Sequence, residues 1–160
     1  MGGKLTDGKK IDRKDATEIL RKFIRQFQPG TKCEIAGSYR REKYILGALD
    51  VVMEDTPAVR RRLSSLWGFQ KNGKVKRSGL FMEMQIDVFL ATVENWGAML
   101  LFATGSGKFN INMRGVAKRL FGYKLNQYGV WDGDVCLASK TEHEIFAVLK
   151  LPYQIPEKRK

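Results

Sequence analysis

Cysteine and histidine, which build many metal and nucleophile sites, are scarce in this chain. Its two cysteines, Cys33 and Cys136, form no CxxC motif and have no partner histidines, which argues against a zinc site and a disulfide framework. We expect both to be small, buried or half-buried strand residues. The single histidine, His143, lies in a predicted helix start and is expected at the surface, so a catalytic triad is hard to build.

Long hydrophobic runs are missing as well. The longest, residues 96–103, is interrupted by Gly97 and falls well short of the ~20 apolar residues that a membrane-spanning helix needs. The segment from Met1 to Asp7 lacks the apolar stretch of a signal peptide. We therefore expect an intracellular protein with no membrane partner.

The composition is that of a folded protein with a basic surface. The 160 residues suffice for one compact unit or two small subdomains, and a hydrophobic content of 43% argues against wholesale disorder. Lys and Arg together number 29 against 17 Asp and Glu, a net charge of +12 that favours a polyanionic partner. The basic residues are dispersed over predicted elements, which favours a binding face over a disordered arm. An ordinary solvated surface stays open, and charge does not separate DNA from RNA.

Hydrophobic periodicity predicts both helices and strands. Predicted helices cover residues 12–27, 58–67, 95–102, 109–121 and 141–149. Predicted strands cover residues 32–36, 49–53, 68–69, 80–91, 123–125, 128–131 and 135–138. Asp12 is a predicted N-cap, and Thr141 with Glu144 forms a possible capping box. The sequence changes character after Thr92, so the natural boundary falls near residues 92–94.

A phosphate-binding pattern follows the first predicted strand. Gly37 and Ser38 read as a short turn, whose backbone N–H groups and hydroxyl can bind phosphate oxygens. Arg41 can add a bidentate, charged contact. The pattern therefore predicts a grip for a phosphorylated substrate.

Two predicted strands each carry one carboxylate. Asp50 follows Gly47, and Asp87 lies in the later strand. Carboxylates from two strands at one sheet edge can hold divalent metal against a triphosphate, and two-metal phosphoryl transfer uses ions ~3.5–4 Å apart. Mg²⁺ prefers such hard oxygen ligands. Ala48 stands where this chemistry requires a further carboxylate.

This ordered set of motifs resembles the DNA polymerase X family through most of the chain. The matching segments are Gly37–Arg41, Gly47–Asp50, Gln85–Asp87, Thr104–Arg114, Tyr123–Gly129 and Glu144–Pro156. The resemblance implies an α+β fold: a nucleotidyltransferase palm over residues 1–92, with a mixed sheet and helices on one face, then a small α/β thumb over residues 93–160. It implies palm plus thumb only, gapped or primed DNA and dNTP as partners, a two-metal Mg²⁺ or Mn²⁺ site, and a monomer.

The resemblance also implies roles for individual residues. Asp50 would bridge both metals, and Asp87 would bind the catalytic metal and help to deprotonate the primer hydroxyl. The implied nucleotide-binding residues are Lys10, Ser38, Arg41, Gly47, Phe102, Gly105 and Asn110. The implied DNA-binding residues are Arg114, Lys118 and Arg119.

Several positions depart from the family pattern. Gln85 replaces an arginine that would orient Asp87, and Ala103 replaces an aromatic residue at the sugar. Phe89 and Gln127 replace an arginine and a glutamate that could pair; both are gone together, so no orphan charge remains. These changes put fidelity and sugar discrimination in doubt.

Ala48 is the departure with the largest expected consequence. Losing a carboxylate shared by two metals should cut the rate by orders of magnitude. It is either a deliberate inactivating substitution, which the otherwise intact site favours, or a natural loss. The leading prediction is therefore a template-directed, gap-filling DNA polymerase of repair that Ala48 impairs. A non-catalytic DNA-binding module and an RNA or small-molecule nucleotidyltransferase stay open as alternatives.

Overall fold

The computed structural model describes residues 8–66 and 71–160, which form an α+β fold, as predicted. The helices are α1 Arg13–Ile24, α2 Gly37–Arg40, α3 Pro57–Ser65, α4 Trp96–Thr104, α5 Gly107–Phe121 and α6 Glu142–Val148. The strands are β1 Ile11–Asp12, β2 Cys33–Ile35, β3 Ile45–Leu46, β4 Leu49–Glu54, β5 Lys71–Asn72, β6 Lys76–Phe81, β7 Met84–Ala91, β8 Lys124–Asn126, β9 Gly129–Asp132 and β10 Val135–Ala138. The predicted strand at residues 68–69 lies outside the described residues.

Local sequence signals explain where the helices begin. Asp12 caps α1 by accepting a hydrogen bond from the backbone N–H of Asp15, 2.9 Å away. Thr56 caps α3, Ser106 caps α5 and Thr141 caps α6 in the same way. These bonds satisfy N–H groups that have no partner inside the helix, so the predicted helix starts are confirmed to within a few residues.

The main sheet has five strands in the order β2-β4-β7-β6-β5. β4 and β7 are parallel, and the other neighbours are antiparallel. In this register Asp50 lies beside Asp87, and Asp87 lies beside Ser78 on β6. Because side chains directly opposite one another share a face, the sheet brings these three residues into one row.

The two faces of this sheet bury different partners. One core cluster joins α1 and α3 to the alternate residues of β4 and β7, with Leu20, Val51, Leu63 and Val88 at or below 1% exposure. The other face carries the row containing Asp50 and Asp87, and its inner part packs against α4. Every residue of β7 is therefore buried, although its polar positions look solvent-facing in the sequence.

The strand predicted within residues 80–91 is confirmed as β7, Met84–Ala91, but the chain reversal at its start was not predicted. Met82 and Glu83 have φ values of 50° and 66° and form the turn between antiparallel β6 and β7. A left-handed conformation at two successive non-glycine residues is uncommon. The alternation of apolar and polar residues through this segment therefore gives no sign of the turn. The reversal puts β6 next to Asp87.

The C-terminal region forms a second core. A three-stranded sheet, β10-β9-β8, packs with α5 and α6 around Phe109, Met113, Val130, Ile145 and Phe146. Gly97 of α4 lies so close to the backbone of Thr141 that a Cβ would overlap it. The division between residues 92 and 93 stays a prediction.

The scarce residues lie close to their predicted places, with one exception. Cys33 is half-buried in β2, where burial raises the pKa of its thiol to about 12. Cys136 is exposed, contrary to expectation, because β10 is an edge strand. His143 is exposed and stacks on Tyr153. Among the described residues, helices with the length and apolar character to cross a membrane are absent.

Candidate active site

Asp50 and Asp87 form the centre of the candidate site. They lie side by side on the parallel strands β4 and β7. Asp87 is 6% exposed, and Asp50 is half-buried. The structure thus brings together the two carboxylates that the motifs single out.

Asp87 is held by neighbours on its own sheet. Its Oδ1 accepts a hydrogen bond from the Ser78 hydroxyl at 2.6 Å and another from the Gln85 amide at 3.0 Å. Its Oδ2 lies 3.7 Å from the ammonium of Lys76. Gln85, which replaces an arginine in the family pattern, therefore still orients the carboxylate, without contributing positive charge.

Asp50 lies in an environment that disfavours its charge. Burial raises the pKa of Asp50 to about 7, with a further contribution from Asp87, while Lys76 and Arg41 act in the opposite direction. A Cβ on Gly37 would overlap the Asp50 carboxylate, so this glycine lets the backbone approach it closely. A carboxylate whose charge is disfavoured in this way is one that a bound cation would stabilise.

The predicted Gly-Ser turn is a single helical turn, α2. The N–H of Ala36 donates to the Asp50 carbonyl at 2.8 Å and ties its start to β4. Tyr39 is fixed from α1, because Arg13 donates to its carbonyl at 2.7 Å and the Thr17 and Tyr39 hydroxyls lie 2.8 Å apart. These bonds fix the turn that carries Ser38.

Arg41 connects this turn to the end of α4. Its guanidinium donates to the Thr104 carbonyl, and a Cβ on Gly105 would lie 3.2 Å from one of its nitrogens. Burial lowers the pKa of Arg41, while the charge of Asp50 opposes that shift. Arg41, Gly105 and Asp50 therefore meet at one place, as three of the predicted site residues.

Gly47 and Ala48 lead directly into β4, and both are half-exposed. Ile11 pairs with Leu46 in the small β1–β3 sheet. Because this pairing is antiparallel, it places exposed Lys10 next to Gly47. The described structure is thus compatible with the predicted set of Lys10, Ser38, Arg41 and Gly47.

A second group of predicted residues lines a cleft between α4 and α5. Phe102, Asn110 and Arg114 share this cleft with Asn126. The Asn110 amide donates to the Phe102 carbonyl at 2.9 Å, and the Phe102 ring makes an edge contact with Phe89. Phe89 and Asp87 lie on the same face of β7, so the cleft adjoins the carboxylate pair.

The remaining predicted DNA contacts lie further along α5. Lys118 follows Arg114 by one turn on the same helix face as Asn110. Arg119 points elsewhere, because its guanidinium packs on Gly115. Both are exposed. Of these three residues, Arg114 lines the cleft, and Lys118 lies one turn further along the same helix.

A charged group that the motifs did not predict joins α2 to the C-terminal region. Arg40 donates to both oxygens of Glu142, at 2.9 and 2.7 Å, and also to the Thr104 hydroxyl. Arg159, which is fully buried, donates to the same carboxylate. Burial alone would raise the pKa of Glu142, but the bonds from Arg40 and Arg159 outweigh it and lower the pKa. The two arginines of the motif thus have different neighbours.

Sequence reasoning also missed Lys76 and Ser78. Their alternate spacing on one strand is visible in the sequence, but their register against Asp87 depends on the turn at Met82 and Glu83. Over residues 8–66 and 71–160, groups of three or more His, Cys, Asp or Glu arranged to hold a metal are absent. Asp50 and Asp87 lie in adjacent positions on β4 and β7, and Ala48 lies in the segment that leads into β4.

Comparisons with known proteins find similarity to DNA polymerases. Residues 99–160 match the family model of the DNA polymerase beta thumb. The chain is 27% identical to DNA polymerase lambda of Rattus norvegicus over 94% of its own length. It is 32% identical to the DNA polymerase/3'-5' exonuclease PolX of Bacillus subtilis over 88% of its length, and 35% identical to DNA polymerase IV of Saccharomyces cerevisiae over 47%.

These relatives are much longer than the region matched. The chain spans 33% of the rat protein, 26% of the Bacillus protein and 13% of the yeast protein. The similarity to the first two nevertheless covers nearly the whole chain, including both carboxylate strands and the cleft.

Proposed function

We propose that this chain, which belongs to the DNA polymerase X family, is built for template-directed transfer of nucleotides from dNTP to a primer 3'-hydroxyl in gapped DNA, as in repair. The observation that carries the proposal is the pair Asp50 and Asp87, placed in register on parallel strands beside the α2 turn. We further propose that Ala48 impairs the reaction, because one carboxylate of the set is missing.

The residues present fit a divalent cation. Asp50 and Asp87 offer carboxylate oxygens, which are the ligands that Mg²⁺ and Mn²⁺ prefer. The raised pKa of Asp50 supports the same assignment, because a cation would relieve the cost of its buried charge. When bound, the metal would supply charge neutralisation on the phosphates of the transition state.

Asp87 is held in one orientation by its neighbours on the sheet. Two hydrogen bonds hold Oδ1 and fix the carboxylate plane. Oδ2 lies 3.7 Å from the ammonium of Lys76. Oδ2 is thus the atom that we expect to receive the proton of the primer hydroxyl or to bind metal.

We assign phosphate binding to the α2 side of the site. Ser38 and the nearby N–H groups would bind phosphate oxygens, and Arg41 would add a charged contact. Gly47 and Lys10 would complete the phosphate-binding site. Phe102, Gly105 and Asn110 would position the sugar and base, and the Asn110–Phe102 hydrogen bond supports this role by fixing both residues at the cleft.

DNA would lie along the exposed face of α5. Arg114 and Lys118 are aligned one turn apart and would contact phosphates. Arg119 is proposed as a more peripheral contact, since it packs away from that face. A net charge of +12 supports binding to a polyanion.

A non-catalytic DNA-binding module is the second candidate. Two observations favour it: Ala48 at the missing ligand position and the strongly basic composition. If the chain is such a module, its fold serves to bind DNA. Any nucleotide binding without turnover would then be inherited from an ancestral enzyme.

Single-nucleotide gap filling with Mg²⁺ separates the two candidates. The chain would be compared with Ala48→Asp and with the double variant Ala48→Asp, Asp87→Asn. A further variant, Ala48→Asp with Asp132→Asn, removes an exposed carboxylate from the end of β9 and controls for charge. We expect Ala48→Asp to raise incorporation by orders of magnitude, Asp87→Asn to abolish that gain, and Asp132→Asn to leave it intact.

Two outcomes would contradict the polymerase proposal. If Ala48→Asp stays inert while it binds gapped DNA as tightly as the parent chain, the fold serves binding. If Asp87→Asn leaves the restored activity unchanged, the carboxylate pair is not the reaction centre.

A further inference from the structure

Lys76 lies at the candidate active site, yet neither the motifs nor the proposed function gives it a role. It lies on β6 opposite Phe89, and its ammonium is 3.7 Å from Oδ2 of Asp87 and 5.4 Å from the centre of the Phe89 ring. Its side chain is 40% exposed, so it has room to move away from the carboxylate.

The position of this ammonium matters because the two oxygens of Asp87 are not equivalent. Oδ1 accepts hydrogen bonds from Ser78 and Gln85. Oδ2 is therefore the oxygen at which a divalent cation would meet least competition from within the sheet. Lys76 lies at that oxygen and supplies a positive charge of its own.

The charge balance makes this contact more important than it would be beside three carboxylates. With alanine at position 48, only the two carboxylates of Asp50 and Asp87 face the site from β4 and β7. The ammonium of Lys76, 3.7 Å from Oδ2 of Asp87, therefore offsets part of the negative charge that would attract a metal.

We propose that Lys76 is a built-in counter-ion that competes with a divalent cation for Oδ2 of Asp87 and so weakens metal binding in this chain. A lysine suits this role because its ammonium is a compact charge on a flexible stem. It can neutralise the carboxylates before metal binds and withdraw into solvent afterwards. This inference rests on the proposed function, because it takes the carboxylate pair to be the metal site.

Direct titration with Mn²⁺ tests the competition without any reaction. Free Mn²⁺ would be measured by electron paramagnetic resonance on the full chain, at one pH and ionic strength, with neither DNA nor nucleotide present. We expect Lys76→Gln to bind Mn²⁺ about threefold to tenfold more tightly, given that a partly exposed ion pair is a modest competitor. Lys76→Arg keeps the cation and should stay within about twofold of the parent chain.

Lys74→Gln is the matched control. Lys74 lies exposed just ahead of β6, so this change removes the same charge from the same region without removing the ammonium at Asp87. If Lys74→Gln and Lys76→Gln raise the affinity equally, net charge explains the effect and the competition is overturned. If Lys76→Gln leaves the affinity unchanged, the proposal is likewise overturned.

Asp87→Asn separates a failure of this inference from a failure of the proposed function. If Asp87→Asn abolishes Mn²⁺ binding while Lys76→Gln has no effect, the metal site stands and the role of Lys76 is refuted. If Asp87→Asn has no effect either, the cation binds elsewhere, and both the metal site and the competition are refuted. Tighter binding by Lys76→Gln together with loss of binding by Asp87→Asn is the expected result.

Discussion

Glu142 and Asp87 are equally hidden from solvent, at 6% exposure each, but their surroundings differ in charge. Glu142 receives the guanidinium groups of Arg40 and Arg159. Asp87 and its neighbour Asp50 face one ammonium at 3.7 Å, with Arg41 acting from nearby. The negative charge of Glu142 is therefore neutralised by two arginines, whereas Asp87 lies next to a second carboxylate, Asp50.

The difference is visible in the two pKa shifts. The pKa of Glu142 is lowered although burial acts to raise it, whereas the pKa of Asp50 is raised to about 7. Burial of a carboxylate therefore does not by itself distinguish the proposed site from the buried ion pair at Glu142. The difference is that Asp50 and Asp87 are two adjacent carboxylates with fewer positive partners, as a cation-dependent site would require.

Neutralising Glu142 should cause the largest loss of stability. We expect Glu142→Gln to lower the free energy of unfolding by about 3–5 kcal/mol, because it leaves the guanidinium groups of Arg40 and Arg159 without their carboxylate. Urea unfolding measures this loss. Glu144→Gln, an exposed change in the same helix, should cost less than about 0.5 kcal/mol. Equal losses for the two variants would mean that the Glu142 carboxylate contributes no more to the free energy of unfolding than an exposed glutamate does.

The adjacent arginines of the motif offer a second test of the comparison. We expect Arg41→Ala to weaken binding of the Mg²⁺–dNTP complex at least about tenfold, since a charged hydrogen bond is worth about 1.5–3 kcal/mol. The DNA affinity should change much less. Calorimetry with nucleotide and fluorescence anisotropy with gapped DNA measure the two affinities.

Arg61→Ala controls this second test, because Arg61 belongs to α3, which packs on the opposite face of the sheet. It removes the same charge and should spare nucleotide binding. Equal losses of nucleotide and DNA affinity in Arg41→Ala would contradict the proposed role of Arg41 in binding the nucleotide phosphates.

Local signals made much of this structure predictable. Asp12 before an amphipathic stretch, and Thr141 before Glu142, locate helix starts through bonds to residues three positions away. The order and spacing of Asp50 and Asp87 likewise predicted the carboxylate pair, because both lie in strands with clear hydrophobic patterns. Helix caps and strand patterns of this kind can each be recognised within a short stretch of sequence.

The parts that escaped prediction depend on distant contacts. The motif assigns Arg41 to phosphate binding and gives Arg40 no role, yet Arg40 binds Glu142, a partner 102 residues away. Lys76 reaches Asp87 through the β6–β7 register, which follows from an unusual turn at Met82 and Glu83. No local pattern encodes these pairings, because each is decided by how separate elements pack.

Acid should reduce the contribution of Glu142 to stability. Its pKa is lower in the folded state than the ordinary value of 4.5, so the unfolded chain takes up the proton first as the pH falls. The stabilisation is therefore complete above about pH 4.5 and is lost as the pH drops through the folded-state pKa, because the unfolded chain binds more protons over that interval. Urea unfolding of the parent chain and of Glu142→Gln from about pH 6 to about pH 3 should show their difference narrowing, whereas a constant difference would contradict this linkage.

The smallest effect concerns the face of α5. We expect Arg114→Gln and Lys118→Gln each to reduce the slope of log affinity for gapped DNA against log salt by about 1, because each would remove one phosphate contact. Arg21→Gln, an exposed change on α1 and hence on the opposite face of the sheet, should leave the slope unchanged. An equal reduction in all three variants would mean that DNA responds to the total charge of the protein, and that α5 is a solvated surface like any other.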